Sequence, residues 1–128
     1  MREVTVSTAG GKFKQSVRVG PHELVSDEPV ASGGGDEGPA PHELLLAALG
    51  SCTSMTIRMY AERKGWKVDR VEVSVSGGRE DEGFRIRRRI RLEGELSDEE
   101  RERLLEIANK CPVHKTLSGT ILIESAIV

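Results

Sequence analysis

The chain contains two cysteines, Cys52 in the segment GSCTSMT and Cys111 in the segment NKCPVHK. Thiols can react with electrophiles, join in a disulfide or bind a metal, and the thiolate is the reactive form. Cys52 lies on an apolar helical stripe, where a free cysteine usually only packs. Cys111 precedes Pro112, which favours the start of a helical turn, and backbone N–H groups, His114 and a lysine then lie near the thiol. The two cysteines are therefore either inert core thiols or a redox pair.

Length and charge limit the class of protein. With 128 residues the chain is long enough for one domain with its own core, so we predict a single domain over residues 1–128. The net charge of −2 comes without any basic block, which argues against nucleic acid and anionic membranes as partners. The segment MREVTVSTAG lacks the apolar run of a signal peptide, and we expect no apolar stretch of membrane-spanning length. We therefore expect a cytoplasmic protein, whose thiols stay reduced unless they do chemistry.

Periodicity predicts an α+β protein. Alternating apolar residues predict strands, an apolar repeat that ends at Gly65 predicts a long helix, and a capping box of Ser97 and Glu100 begins a second helix. In chain order the predicted elements are a strand in 2–9, a hairpin in 13–29, a helix over Pro41–Lys64, a hairpin in 68–96, a helix to about Lys110 and a strand in 120–128. The order βββ-α-ββ-α-β separates strands from helices, which favours an α+β fold with a largely antiparallel sheet.

The first predicted helix has no polar face over residues 44–49, with the sequence LLLAAL. Such a stretch has to be surrounded by protein, and two helices in a chain of this length cannot easily cover it from both sides. A second subunit is the most economical cover. We therefore predict an intimate homodimer.

The second predicted hairpin carries one arginine on its inward face. Period-two alternation places Arg88 with Phe84, Ile86, Ile90 and Leu92, whereas the other arginines of the segment RIRRRIR point outward to solvent or to acids. Arg88 either binds a buried acid or extends its head group along apolar neighbours to solvent. The second arrangement is the commoner one, and we expect it here.

Two segments, GPAPHELLLAALGSCTSMTIRMYAERKGW and RLEGELSDEERERLLEIANKCPVHKTLSG, strongly resemble the osmotically inducible protein C (OsmC) and organic hydroperoxide resistance family. The resemblance covers nearly the whole chain, in order, with both cysteines in register. It implies the family's fold, an α+β homodimer whose two subunits interlock. In that fold the long central helices pack back to back, and each active site forms at the interface.

The resemblance also implies a thiol peroxidase that uses no cofactor or metal. The Cys52 thiolate would attack an organic hydroperoxide and become a sulfenic acid, Cys111 would condense with it to a disulfide, and a cellular dithiol would reduce that disulfide. The apolar residues expected to favour organic over hydrogen peroxide are Leu45, Leu49, Met55 and Met59.

The residues that activate the reactive cysteine differ from the better-studied branch of the family. In that branch an arginine that follows a Gly-Gly pair near the N-terminus contacts the reactive cysteine. A glutamate ten residues before the cysteine binds this arginine. The matching positions here are Lys12 and His42, and Glu43 follows the histidine. Lysine keeps the charge but loses the planar fork, and Glu43 lies about 13 Å along the helix from Cys52. The activation candidates are therefore Lys12, Glu43 and Arg18, and the Gly-Gly context favours Lys12.

Two other functions stay open from the sequence. The protein could bind a small apolar ligand or fatty acyl group in the interface cleft of the dimer, with both cysteines incidental. Alternatively Cys52, Cys111, His114 and His42 could gather a metal ion, because the C-x-x-H spacing allows two ligands from one turn. A sound zinc site needs all four ligands to converge, and the family resemblance favours the thiol pair.

Overall fold

The structure is a computed structural model that describes all 128 residues. The chain forms two compact units, Met1–Leu45 and Leu46–Val128, and the long helix α1, Pro41–Lys64, runs through the boundary between them. Each unit contains one antiparallel sheet, so the protein belongs to the α+β class predicted from the sequence. A single domain over the whole chain stays a prediction.

The N-terminal unit contains a three-stranded sheet in the order β1 (Thr5–Thr8), β2 (Gln15–Val19), β3 (His22–Ser26). Neighbouring strands are antiparallel. Between β2 and β3, Gly20 has a φ of 56°, a positive value that a type II′ turn needs at its first central position and that glycine adopts without strain. The predicted hairpin around Gly20-Pro21 is therefore confirmed.

A buried carboxylate organises the connection between β3 and α1. Asp27 accepts hydrogen bonds from the backbone N–H groups of Glu28, Gly35 and Glu37, at 2.8, 3.2 and 3.2 Å. Burial raises the pKa of Asp27, but these three donors and the charge of Lys14 outweigh it and hold the pKa below its ordinary value. The glycine-rich connection between β3 and α1 is therefore fixed by hydrogen bonds to one side chain.

Helix α1 has the bounds predicted from the sequence. Pro41 fills the first helical position, where an N–H would have no helical partner, and the Glu43 carboxylate accepts from the Ala40 N–H at 2.8 Å. The helix ends at Gly65, whose φ of 72° lies in the left-handed region that commonly follows a helix. Local signals at both ends therefore account for the length of α1.

One stripe of α1 is buried within the protomer, and much of its remaining apolar surface is exposed. The buried residues of the helix are Leu49, Thr53, Ile57 and Ala61. Leu45, Met55 and Met59 keep 38%, 59% and 59% of their surface accessible. Exposure of this kind is expected where a second subunit covers the helix, and the homodimer itself stays a prediction.

By length and composition α1 could also cross a membrane. It has 24 residues, and its 18-residue window reaches a mean hydropathy of 1.2, so the expectation that no apolar stretch has this length is wrong on these two criteria. Core helices of globular proteins meet the same criteria. In this protein Ile57 and Ala61 of α1 pack against Leu104 and Ala108 in the core of the C-terminal unit. These contacts support the assignment of α1 as a core helix.

The C-terminal unit contains a long hairpin of β4 (Arg70–Glu80) and β5 (Gly83–Glu93). The strands extend into the segment GGREDEG, which the sequence assigned to the connection, and leave only residues 81–82 between them. The predicted alternation is confirmed, since Arg88 lies opposite Val75 on the half-buried face and the other β5 arginines are exposed. Two of those outward arginines pair with acids across the hairpin end.

Two short helices complete this unit. Helix α2, Asp98–Ala108, begins with the predicted capping box, in which the Ser97 hydroxyl accepts from the Glu100 N–H and the Glu100 carboxylate accepts from the Ser97 N–H. Helix α3, Pro112–Ser118, follows directly after Cys111. The junction between α2 and α3 therefore sets the position of the second cysteine.

The predicted last strand is absent. Residues 120–128 form no strand, and Ile121, Leu122, Ile123, Ile127 and Val128 are exposed. The apolar pattern of this segment is typical of a strand, but a strand also needs a neighbour whose N–H and C=O groups it can bind. The segment pairs with neither sheet of its own chain, so the prediction of a strand is wrong for the single protomer.

Candidate active site

The two cysteines, which are far apart in sequence, meet in the C-terminal unit. Cys52 lies in the middle of α1 and is half-buried, whereas Cys111 at the α2–α3 junction is completely buried. Both are free thiols, and the Cys52 side chain interacts with the Cys111 thiol. The structure therefore brings together the predicted nucleophile and the predicted resolving residue, whose individual roles stay predictions.

Cys111 is held by α3 and by α1. Its sulfur accepts a hydrogen bond from the backbone N–H of His114 at 3.3 Å. Thr53, the residue after Cys52, has its hydroxyl oxygen 3.9 Å from the Cys111 sulfur, and the same hydroxyl donates to the Leu49 carbonyl at 2.7 Å. Because a hydroxyl has one proton and two lone pairs, Thr53 can donate either to the Leu49 carbonyl or, after a rotation, to the Cys111 sulfur.

The surroundings of Cys111 favour its thiolate. Burial raises the pKa of the Cys111 thiol, because the charged form loses its hydration. The His114 N–H, the side chains of Cys52 and Thr53 and the positive charge of Arg88 act in the opposite direction and together outweigh burial. The pKa of Cys111 therefore lies below that of an ordinary thiol.

The inward arginine of β5 lies beside the cysteine pair. One terminal nitrogen of Arg88 donates to the Thr53 hydroxyl at 2.8 Å and to the Ala108 carbonyl at 3.3 Å. The other donates to the Asn109 side-chain oxygen at 2.9 Å and lies 3.1 Å from His114 Nδ1. The expectation that Arg88 extends to solvent is therefore wrong, because these acceptors from α1, α2 and α3 hold its head group inside the unit.

The contact with Arg88 also determines the tautomer of His114. A guanidinium has only donors, so Nδ1 of the imidazole has to accept the hydrogen bond. In that tautomer the ring N–H is on Nε2. His114 therefore contributes to the site with a backbone donor toward Cys111 and a side-chain acceptor toward Arg88.

A cavity of about 460 Å³ lies next to this group of residues. Its polar wall is formed by Arg88, Asn109, His114 and Ser118, and its apolar lining by Leu49, Phe84, Ile86, Leu105 and Leu117. Of the apolar wall predicted from the sequence, only Leu49 lines this cavity. Met55 and Met59 line a different cavity beside Trp66, and Leu45 is exposed.

The three activation candidates all lie in the N-terminal unit. The Lys12 ammonium lies 5.2 Å from the centroid of the Phe13 ring. Arg18 is in β2, opposite Thr5 and Glu23, and Glu43 binds the Ala40 N–H at the start of α1. Their role in activating Cys52 stays a prediction.

The metal-site alternative finds no support in the geometry. No three His, Cys, Asp or Glu side chains of the chain are grouped as metal ligands. His114 directs Nδ1 at Arg88, a cation, and the sulfur of Cys111 accepts from the backbone N–H of His114. The four proposed ligands Cys52, Cys111, His114 and His42 therefore do not form such a site.

The fold and the site define a protein of the α+β class with two interacting thiols, one on a central helix and one at the start of a short C-terminal helix. The family model described as OsmC-like protein matches residues 33–126, a range that contains both cysteines, Arg88 and His114. The chain belongs to the OsmC family. The resemblance found in the sequence is thus confirmed.

Solved structures of the same family have the same fold. The OsmC-like protein from Mycoplasma pneumoniae has a TM-score of 0.80 at 20% identity, covering 93% of this chain and 88% of that chain. An organic hydroperoxide resistance protein OsmC from Legionella pneumophila has a TM-score of 0.68 at 21% identity, with 91% and 90% covered. The organic hydroperoxide resistance protein OhrB of Bacillus subtilis has a TM-score of 0.65 at 20% identity, with 93% and 91% covered. No curated protein sequence matches the chain.

Three residues of the site were missed from the sequence. Thr53, Asn109 and Arg88 were not predicted as site residues, yet their side chains connect α1, the end of α2 and β5 around Cys111. The one available signal was the inward position of Arg88 in the alternation of β5. An arginine on an apolar face needs acceptors, and those acceptors indicate where a polar site lies.

Proposed function

We propose that this protein reduces organic hydroperoxides with its two cysteines, Cys52 as nucleophile and Cys111 as resolving residue. The observation that carries the proposal is the proximity of these two thiols, which come from elements far apart in the chain: Thr53, the residue after Cys52, has its hydroxyl oxygen 3.9 Å from the Cys111 sulfur, and the Cys52 side chain lowers the pKa of Cys111. Two relatives of the same fold are named organic hydroperoxide resistance proteins. Family membership supports thiol chemistry as the use of the pair.

The proposed reaction balances without a cofactor. The Cys52 thiolate attacks the distal oxygen of the hydroperoxide, the O–O bond breaks, and the alkoxide leaves with one proton as the alcohol. The sulfur is now a sulfenic acid. The Cys111 thiolate attacks that sulfur, the S–S bond forms and the S–O bond breaks, and hydroxide leaves with a second proton as water. A cellular dithiol then reduces the disulfide by exchange.

The positions of the two thiols fit these roles. Cys52 is the partly accessible one, so a peroxide can reach it, whereas Cys111 is fully buried and reaches only its neighbour. The adjoining cavity has a volume of about 460 Å³ and a lining of five apolar and four polar residues, neither cysteine among them, and its apolar part suits an organic group. We further propose that the active form is a homodimer and that the reaction takes place in the cytoplasm.

Peroxide should consume both thiols. We expect that one equivalent of cumene hydroperoxide lowers the free thiol count of the reduced protein from two to zero per chain, and that a dithiol restores both. Thiol titration and intact-mass measurement check this, with Cys111→Ser as the control that should stop at a Cys52 sulfenic acid. If both thiols stay free after exposure to peroxide, the protein is not a thiol peroxidase, and the binding of a small apolar ligand becomes the better function.

The cation that activates Cys52 can be identified by alkylation. If Lys12 has this role, Lys12→Ala should slow the reaction of Cys52 with iodoacetamide near neutral pH, because less of the thiol is then in the reactive thiolate form. Arg18→Ala, which removes the alternative cation, should leave the rate-against-pH curve unchanged. The reverse result assigns the role to Arg18, and unchanged curves in both variants reject both residues.

A further inference from the structure

We infer that Arg88 is a positioning residue of the thiol pair, which binds Thr53 beside Cys111 and whose charge favours the Cys111 thiolate that attacks the oxidised Cys52. This inference rests on the proposed function for its effect on turnover, whereas the ionisation of Cys111 can be measured without any peroxide. Arg88, in the C-terminal unit, is then the cation that acts on the resolving cysteine Cys111. A different residue activates Cys52.

The hydrogen bonds of Arg88 leave its charge uncompensated. All four acceptors of its head group are neutral, namely a hydroxyl, a backbone carbonyl, an amide oxygen and an imidazole nitrogen. Arg88 forms no ion pair with any Asp or Glu, unlike Arg85 and Arg87 on the other face of the same strand. A half-buried cation without a carboxylate stabilises any anion that forms nearby.

The anion that can form there is the thiolate of Cys111. The charged or titratable groups around it are Cys52 from α1, Arg88 from β5 and His114 from α3, whose Nδ1 lies 3.1 Å from Arg88. From α2 the nearest group is the uncharged Ala108 carbonyl. The flanking lysines 110 and 115 are exposed. Arg88 is therefore the one cation that the structure directs at the pair.

Thr53 connects the guanidinium to the sulfur. Its oxygen accepts from Arg88 at 2.8 Å and lies 3.9 Å from Cys111. When Cys111 is protonated, the Thr53 hydroxyl donates its hydrogen bond to the Leu49 carbonyl. When Cys111 loses its proton, the hydroxyl can rotate and donate to the thiolate, while Arg88 continues to bind the oxygen. The same two contacts orient the sulfur for attack on Cys52.

Two substitutions of Arg88 separate its charge from its hydrogen bonds, and a third substitution, at Arg89, is the control. Arg88→Gln removes the charge but keeps an amide donor. Arg88→Lys keeps the charge but loses the planar fork that binds several acceptors at once. Arg89→Gln, at the exposed neighbouring position on the opposite face, is the matched control. The midpoint of Cys111 ionisation is measured from the ¹³Cβ chemical shift of labelled cysteine against pH, because this signal needs no reagent to reach the buried thiol.

We expect the midpoint of Cys111 to rise by about half a pH unit in Arg88→Gln, to return most of the way in Arg88→Lys, and to stay unchanged in Arg89→Gln. A residue that acts only through structure would give the same midpoint for lysine and glutamine, and that result would overturn the proposal. So would an unchanged midpoint in Arg88→Gln.

A measurement on the unsubstituted protein covers the case in which Arg88→Gln fails to fold. The guanidinium ¹⁵N signals of Arg88 should shift with the same midpoint as the Cys111 signal, because the guanidinium responds to the negative charge that forms on Cys111. Signals that do not move at that midpoint contradict the proposal. If Arg88→Gln loses peroxidase activity while the Cys111 midpoint stays unchanged, Arg88 does not act on Cys111 and the inference fails. The proposed peroxidase function is not affected by that result.

Discussion

Cys52→Ser should abolish the consumption of organic hydroperoxide in the presence of a dithiol, lowering the turnover rate by about a thousandfold or more. A serine hydroxyl fits the same space but stays protonated near neutral pH, so the nucleophile is lost while the packing of α1 is kept. The measurement is peroxide consumption under steady state, with circular dichroism to show that the variant is folded.

The matched variant is Cys111→Ser, which should still react once. In a single turnover it should release about one equivalent of alcohol per site and then stop, because the sulfenic acid on Cys52 has no thiol with which to condense. Sustained turnover by Cys52→Ser would show that Cys52 is not the nucleophile and that Cys111 is. The low pKa of Cys111 makes that outcome chemically reasonable, and its complete burial is the reason that we expect the opposite.

Leu45→Asp should dissociate the protein or prevent it from folding. In the single protomer 38% of the Leu45 surface is accessible, so an aspartate there would be tolerated by a monomer. In the proposed homodimer the position is covered, and an unpaired buried carboxylate costs several kcal/mol, against a total stability of about 5–15 kcal/mol for a domain. Sedimentation at micromolar concentration measures the effect.

The control for this prediction is Arg63→Asp. Arg63 is an exposed polar residue in the last turn of the same helix, so the aspartate adds a carboxylate to α1 outside its apolar surface and should leave the oligomeric state unchanged. An unsubstituted protein that sediments as a stable monomer would refute the homodimer. It would also leave the apolar residues of α1 and of 120–128 without an explanation.

Local signals made much of the fold predictable. The bounds of α1 follow from Pro41 and Gly65, the start of α2 from the Ser97–Glu100 capping box, and the inward face of β5 from alternation. The physical reason is that helix caps, turns and side-chain alternation depend on residues within a few positions of each other. The pairing of Cys52 with Cys111 was predictable for a different reason, because both lie in segments that resemble one family.

The sequence by itself therefore determined the fold class, the order of most elements and the two cysteines of the candidate site. Only the tertiary structure decided that Arg88 lies beside those cysteines, since its acceptors Thr53, Asn109 and His114 lie near one cysteine or the other in the chain and Arg88 lies far from both. It also decided that Met55 and Met59 line another cavity and that 120–128 is not a strand within the protomer. In each case the deciding contact joins residues distant in sequence, and a hydrogen bond or an apolar contact acts only over a few ångströms in space.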